Sequence, residues 1–180
     1  MTIDFRHRLG PDAAEAVLSV DYVDTYELIY SEPPYSGLSP YTRAEFVART
    51  TAQMKRPGFE LVTAQDGAAL VGFCIGLTME AGRWWGGATT GAPSEVLDSP
   101  KAAIIELILR KEHRGRGLGK RLLSEMLAGR TEPYATLAAH PSAAAHAMYE
   151  RWGWQSAGPS QPVADGPTLD LMVLNLREES

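Results

Sequence analysis

Arg114, Gly115, Arg116, Gly117, Leu118, Gly119 and Lys120 follow one another in this chain, and residues of these types in such a run bind anions. Glycines let an anion come close to backbone N–H groups, and the arginines and lysine add positive charge. Arg110, Lys111 and Arg121 extend that charge on both sides. Upstream, Ala102 to Leu109 is apolar on both alternating faces except at Glu106, which predicts a buried strand. Downstream, Leu118, Leu122, Leu123, Met126 and Leu127 give one apolar helix face, with Gly129 as the stop. A strand therefore turns through glycines into a helix N-terminus, where unpaired amides and the positive dipole end favour phosphate.

Two well-known phosphate motifs fail on spacing. A dinucleotide fingerprint, G-x-G-x-x-G, needs its third glycine at 120, where Lys120 stands. A P-loop needs glycine at Arg114 and serine or threonine at Arg121. The pattern that fits is R-x-x-G-x-G, filled by Arg114, Gly117 and Gly119. A second block lies downstream: a strand over Tyr134 to Ala139, then Pro141, Ser142 as expected N-cap, and an alanine-rich helix through Tyr149 to Arg151, with Gly153 as its stop. On that helix Ser142, Ala145 and Tyr149 are expected to share one face.

The two blocks together resemble the GNAT superfamily of N-acetyltransferases. The first is similar to its acetyl-CoA pyrophosphate loop. The second is similar to its N-x-x-A-x-x-x-Y unit followed by an aromatic after glycine, matched by Ala145, Tyr149 and Trp154, with Ser142 where asparagine is usual. The resemblance implies an α/β fold, one GNAT domain over residues 1–180, with a mixed central sheet and a splayed acetyl-CoA groove. It also implies acetyl-CoA as co-substrate and direct transfer of acetyl to a primary amine. The expected cofactor-binding residues are Leu107, Leu109, Arg114, Gly115, Arg116, Gly117, Leu118, Gly119, Lys120, Ser142 and Tyr149. Amides near Leu107 to Leu109 would meet the developing oxyanion.

The chemistry demands proton handling. An amine with a pKa of about 10.4 is protonated at pH 7, and its neutral form costs about 4–5 kcal/mol. A base must take that proton and an acid must return one to the departing thiolate. The resemblance makes Tyr149 the acid; the other reading is a core tyrosine between helix and sheet. Glu106 is the candidate base, because a carboxylate in an apolar strand is costly unless paired or used, and desolvation raises its pKa. A buried structural salt bridge is the alternative, and Glu80 is held in reserve.

Acceptor residues are less sharply marked. Tyr22, Tyr26 and Tyr30 recur every fourth residue, a stripe that serves either helix core or ligand wall. Tyr30, Tyr35 beside Pro33-Pro34, and the Trp84-Trp85 pair are the candidates for the acceptor wall, and they favour an apolar or aromatic small-molecule amine. A protein N-terminus or lysine as acceptor, and a catalytically silent acyl-CoA-binding module, are the rival readings. His113 is assigned to the phosphate turn, and the spacing of His140 and His146 argues against a shared metal.

Composition bounds the rest. The 180 residues suit a single domain with its own core, 44% hydrophobic and 22% charged. A net charge of −5 argues against a general nucleic-acid binder. The single cysteine, Cys74, excludes an internal disulfide framework and reads as a small core residue. No apolar run approaches a membrane span, and Asp4 near the start argues against a signal peptide, so a cytoplasmic monomer or homodimer is expected.

Around these motifs the pattern predicts a strand over Thr2 to Arg8, a helix from Pro11 continuing through Leu28, and a proline-rich loop from Ser31 to Pro40. A helix follows over Thr42 to Met54, opened by a Thr42–Glu45 capping box. Phe59 to Ala64 and Ala69 to Thr78 form a hairpin. Met79 to Pro100 lacks periodicity, the mark of a functional or disordered loop, and Thr168 to Leu176 closes the chain as a strand.

Overall fold

The computed structural model describes residues 2–177, which form two compact units. The first comprises residues up to Leu77 together with Ile105–Arg130. It holds strand β1 (Ile3–Leu9), helices α1 (Gly10–Val17), α2 (Val20–Tyr30) and α3 (Arg43–Gln53), strand β2 (Glu60–Asp66), and most of strand β3 (Ala69–Met79). The second unit, Thr78–Ile104 and the chain from Thr131 onward, contains the short helix α4 (Ser94–Leu97). Strand β4 (Lys101–Leu109) runs through both, its last residues leading into helix α5 (Leu118–Ala128) of the first unit. Strand β5 (Tyr134–Ala139), helix α6 (Ala144–Arg151), and strands β6 (Gln155–Ser160) and β7 (Leu169–Asn175) complete the second.

Hydrogen bonds join the strands in the order β1-β2-β3-β4-β5-β7-β6, giving a mixed seven-stranded α/β architecture. The pairs β1–β2 and β2–β3 are antiparallel; β4 and β5 are parallel; β7 pairs antiparallel with both β5 and β6. A parallel pair needs a crossover between its strands, and the chain between β4 and β5 contains α5. The parallel ladder runs from Lys101↔Tyr134 to Ile104↔Leu137 and stops there, although β4 continues to Leu109.

The core of the first unit forms where the apolar faces of α1, α2 and α3 meet β2, β3 and β4: Ala13, Val17, Tyr22, Tyr26, Phe46, Leu61, Phe73, Ile75 and Ile108 are buried together. Cys74 is fully buried and burial pushes its thiol pKa up, so it is an inert core residue. Met1 and the last three residues of the expected 1–180 domain lie outside the described residues.

Local rules placed most elements, with three departures. The long first helix is two: α1 ends at Val17, and the extended backbone of Ser19 starts α2. Serine is a favoured N-cap, so hydrophobic periodicity had masked a start signal. Thr42 caps α3 as expected, the Glu45 N–H donating to Thr42 Oγ1 at 3.3 Å, while the Thr42 N–H goes to the Ser39 carbonyl at 3.4 Å. The second departure is Ser142, which precedes α6 instead of capping it: Ala143 is the N-cap. The Ser142 hydroxyl and N–H both meet His140 Nδ1, at 2.9 and 3.2 Å. The expected shared face of Ser142, Ala145 and Tyr149 therefore keeps only its last two members.

The third departure is the Met79 to Pro100 segment, which is ordered and carries α4. Gly82 N–H donates to the Leu97 carbonyl at 2.7 Å, Gln161 N–H to the Gly87 carbonyl at 2.9 Å, and Ala88 bridges Ser160. Lys101 anchors it from below. Its side chain is 0% exposed, and its ammonium lies within 3.4 Å of the carbonyls of Glu80, Val96, Leu97 and Ser99. These include the last carbonyls of α4, which a cation favours. Lys101→Met keeps the stem and removes the charged donor, while the Glu80, Val96 and Leu97 carbonyls keep their backbone donors. It is expected to cost about 2–3 kcal/mol, read as a fall in chemical-denaturation midpoint. An unchanged midpoint would show that the ammonium contributes nothing to holding the segment.

Candidate functional site

In the first unit β4 ends in a single 3-10 turn, Lys111–His113, and the chain then passes Gly115 (φ 75°) and Gly117 (φ 76°) before α5. Both glycines occupy the left-handed region that other residues rarely adopt. The Gly117 carbonyl accepts from the Arg121 N–H at 3.1 Å and opens the helix ladder. The amides of Leu118, Gly119 and Lys120 therefore precede it and have no acceptor within the helix. A Cβ built at Gly119 meets no protein atom within 4 Å, and the first turn of α5 holds no acidic residue. Backbone donors, a positive dipole end and open approach are the features that favour an anion at a helix N-terminus.

The side-chain charge around this turn is distributed differently from expectation. Arg114 forks onto Glu32 at 2.7 and 3.2 Å, and its Nε donates to the Leu109 carbonyl at 3.1 Å. Arg110 Nη2 donates to Thr25 Oγ1 at 2.8 Å. Arg121 lies over the Phe5 ring, 4.5 Å from its centroid. Arg110, Arg114 and Arg121 are thus engaged by protein groups, and Lys111, Arg116 and Lys120 also carry exposed charge near the turn. The backbone amides lead in this site, and Arg114 supports the turn by tying it to the chain just after α2.

A second arrangement in the same unit surrounds Glu106, which is 6% exposed. Tyr30 Oη donates to Glu106 Oε2 at 2.6 Å. Arg49 Nη2 donates to Oε1 at 3.4 Å, and the same guanidinium reaches Tyr26 Oη at 3.1 Å and the Pro40 carbonyl at 2.9 Å. Burial raises the carboxyl pKa, and Arg49 together with the two hydrogen bonds pulls it back. Aromatic rings enclose the pair. Tyr26 stacks between Phe46 and Tyr30, centroids 4.0 and 4.3 Å away. Tyr41 stacks on Tyr30 at 4.9 Å, and Tyr35 meets both edge-on at 4.8 and 5.0 Å. Burial raises the phenol pKa of Tyr35, and that of Tyr41 is pushed up to about 12, so both stay protonated at neutral pH.

The structure therefore brings Tyr30, Tyr35 and Glu106 together, while Tyr22 and Tyr26 belong to the core. Two members of this cluster escaped the sequence reading. Tyr41 had a signal, since it follows Ser39-Pro40 much as Tyr35 follows Pro33-Pro34. Arg49 had none, being one charged residue in the middle of a helix.

The remaining candidates lie in the second unit. Tyr149, on α6, is 7% exposed, and its ring meets Trp152 at 5.8 Å and Trp154 at 5.9 Å. Trp84 and Trp85 are half-buried, and the Trp85 indole N–H donates to Thr136 Oγ1 at 2.9 Å. Glu80 is exposed. His146 Nε2 pairs with Asp170 Oδ2 at 2.7 Å. Among the described residues no group of three His, Cys, Asp or Glu side chains could hold a metal ion, and no helix is long and apolar enough to cross a membrane.

Comparison with known proteins bears on the family and the fold. The pattern of the acetyltransferase (GNAT) family matches residues 22–154. Search of curated proteins finds no match. Among solved structures, a protein from Pyrococcus horikoshii OT3 is similar at 21% identity, with 97% of this chain and 98% of that one covered and a TM-score of 0.64. The PaiA N-acetyltransferase of Thermoplasma acidophilum, solved in complex with coenzyme A, is similar at 17% identity over 97% and 99% of the two chains, with a TM-score of 0.56. The ribosomal-protein-S18-alanine N-acetyltransferase of Escherichia coli is similar at 16% identity over 97% and 94%, with a TM-score of 0.60. With three-quarters of its length matched by the family pattern and its fold shared with solved acetyltransferases, this chain belongs to the GNAT family of acetyltransferases.

Proposed function

We propose that this protein is an N-acetyltransferase that moves acetyl from acetyl-CoA to the primary amine of a small molecule. Acetyl-CoA is the co-substrate that membership of this acetyltransferase family assigns, and it supplies an acyl group activated as a thioester. The α5 N-terminus suits its pyrophosphate: the amides of Leu118, Gly119 and Lys120 donate, Gly115 and Gly117 shape the turn, and Arg116 and Lys120 add exposed charge. Leu107 and Leu109 supply strand amides for the acyl end, and Ser142 is the candidate contact ahead of α6.

The observation that carries this reading is Glu106, a buried carboxylate at 2.6 Å from a half-buried tyrosine, on the strand that leads into the phosphate turn. Burial raises its pKa, the direction that makes a carboxylate a stronger base. Tyr149 is the acid for the leaving thiolate. Tyr30 and Tyr35 form the acceptor wall with Tyr41, and stacked phenols favour an amine carrying an apolar or aromatic body. Trp84 and Trp85 are further candidates for acceptor contact. The reading includes one GNAT domain over 1–180, a cytoplasmic setting, and a monomer or homodimer.

An amine-library acetylation screen read by mass spectrometry tests it. Acetylated primary amines with apolar or aromatic bodies are the expected products, and Glu106→Gln is expected to lower their formation by about 10²-fold or more. Acetylation confined to peptide N-termini or lysines would overturn the small-molecule assignment. Acetyl-CoA binding with no turnover on any amine would make the protein a silent binding module.

A further inference from the structure

Glu106 is poorly placed to meet an acceptor directly. It is 6% exposed, and both its oxygens are engaged, Oε2 by Tyr30 and Oε1 by Arg49. Tyr30 differs: it is half-buried, its hydroxyl donates to the carboxylate, and its ring packs in the aromatic wall with Tyr35 and Tyr41. A phenol that donates to a carboxylate keeps a lone pair on Oη able to accept from another donor.

We infer that Tyr30 is the catalytic residue that receives the acceptor's proton, passing its own phenolic proton to Glu106 in the same step, so that the base is the Tyr30–Glu106 pair. This rests on the acetyltransferase reading above. One N–H bond of the ammonium breaks as an O–H bond forms on Tyr30 Oη. The original Oη–H bond breaks as an O–H bond forms on Glu106 Oε2. The amine becomes neutral and nucleophilic, Glu106 becomes a neutral acid, and Tyr30 is unchanged. Neither partner need carry a phenolate, which burial and the nearby Glu106 charge strongly disfavour at Tyr30.

Arg49 is the positioning residue of this relay. Its contacts with the Pro40 carbonyl and Tyr26 Oη fix the guanidinium, which holds the Glu106 carboxylate with Oε2 toward Tyr30. The charged and titratable groups that face the pair are Arg49 from α3, Tyr26 from α2, Tyr35 and Tyr41 from the segment between α2 and α3, and the buried Cys74 thiol from β3. Arg114, paired with Glu32, acts on Tyr35 from the phosphate turn.

Tyr30→Phe tests the relay, because stacking on Tyr26 and Tyr41 survives the loss of one oxygen. Steady-state rates are measured with saturating acetyl-CoA and an alkylamine acceptor from pH 6.5 to 9.5, with acetyl-CoA affinity by calorimetry on the same preparations. Turnover is expected to fall about 10²-fold at pH 7. The deficit is expected to shrink about tenfold per pH unit, since solution then supplies the neutral amine that the relay would have made. A tyrosine that only shapes the pocket predicts a deficit independent of pH. That result, or a deficit below threefold, would overturn the relay while leaving the transferase standing. Loss of acetyl-CoA binding in Tyr30→Phe would assign Tyr30 to the fold and overturn the relay as well. A wild-type protein that binds acetyl-CoA but acetylates no amine would overturn the relay and the transferase reading together.

Discussion

Gly119→Val is expected to abolish measurable acetyl-CoA binding while leaving the melting temperature unchanged. Gly119 has an ordinary backbone conformation on the first turn of α5, and a Cβ there meets no protein atom. Valine in a helix is no worse than glycine, so the fold does not suffer. Its two methyl groups would instead stand over the amides of Leu118, Gly119 and Lys120 and hold a phosphate beyond hydrogen-bond distance. A loss of 10²-fold or more in affinity corresponds to about 2.8 kcal/mol or more. Gly117→Val confounds this result, because Gly117 has φ 76° and any side chain there is strained by about 1–2 kcal/mol. Arg116→Ala is expected to be milder, since the helix amides remain. Calorimetry of Gly119→Val showing wild-type acetyl-CoA affinity would remove the phosphate turn from the cofactor site.

Tyr149→Phe separates an enzyme from a silent binding module. The ring keeps its edge-to-face contact with Trp152 and its packing on Trp154, so only the hydroxyl is lost. If that hydroxyl protonates the CoA thiolate, turnover with saturating acetyl-CoA falls by about 10²-fold or more. Acetyl-CoA affinity stays near wild type, and stability falls by no more than one hydrogen bond, about 1 kcal/mol. A purely packed tyrosine gives near-normal turnover with the same small loss of stability. A variant within threefold of the parent would retire Tyr149 as the acid, and the transferase would remain, with water delivering that proton.

The legibility of this protein in its sequence follows the range of the forces involved. Strand, glycine turn and amphipathic helix over Lys101 to Ala128 were readable, because alternation, left-handed glycines and a leucine stripe act within a few residues of each other. The β2–β3 hairpin and the Thr42 cap of α3 were readable for the same reason. Even local signals compete: the apolar periodicity of Val17 to Tyr22 hid Ser19 as a helix start, and Ser142 gave up its cap for His140 two residues away.

The sequence by itself determined the family, the glycine turn between strand and helix, and the presence of a carboxylate in an apolar strand. Only the tertiary structure decided which groups surround that carboxylate. Its partners, Arg49 and Tyr30, lie 57 and 76 residues away, and Tyr41 joins the cluster by stacking on Tyr30. Charge was legible as charge, but not as commitment: Arg114 and Arg110 are spent on Glu32 and Thr25, 82 and 85 residues distant. Periodicity and glycine report backbone conformation, which is set locally. The neighbours of a buried charge are set by which helix faces pack over the strand, and by the cost of leaving that charge unpaired.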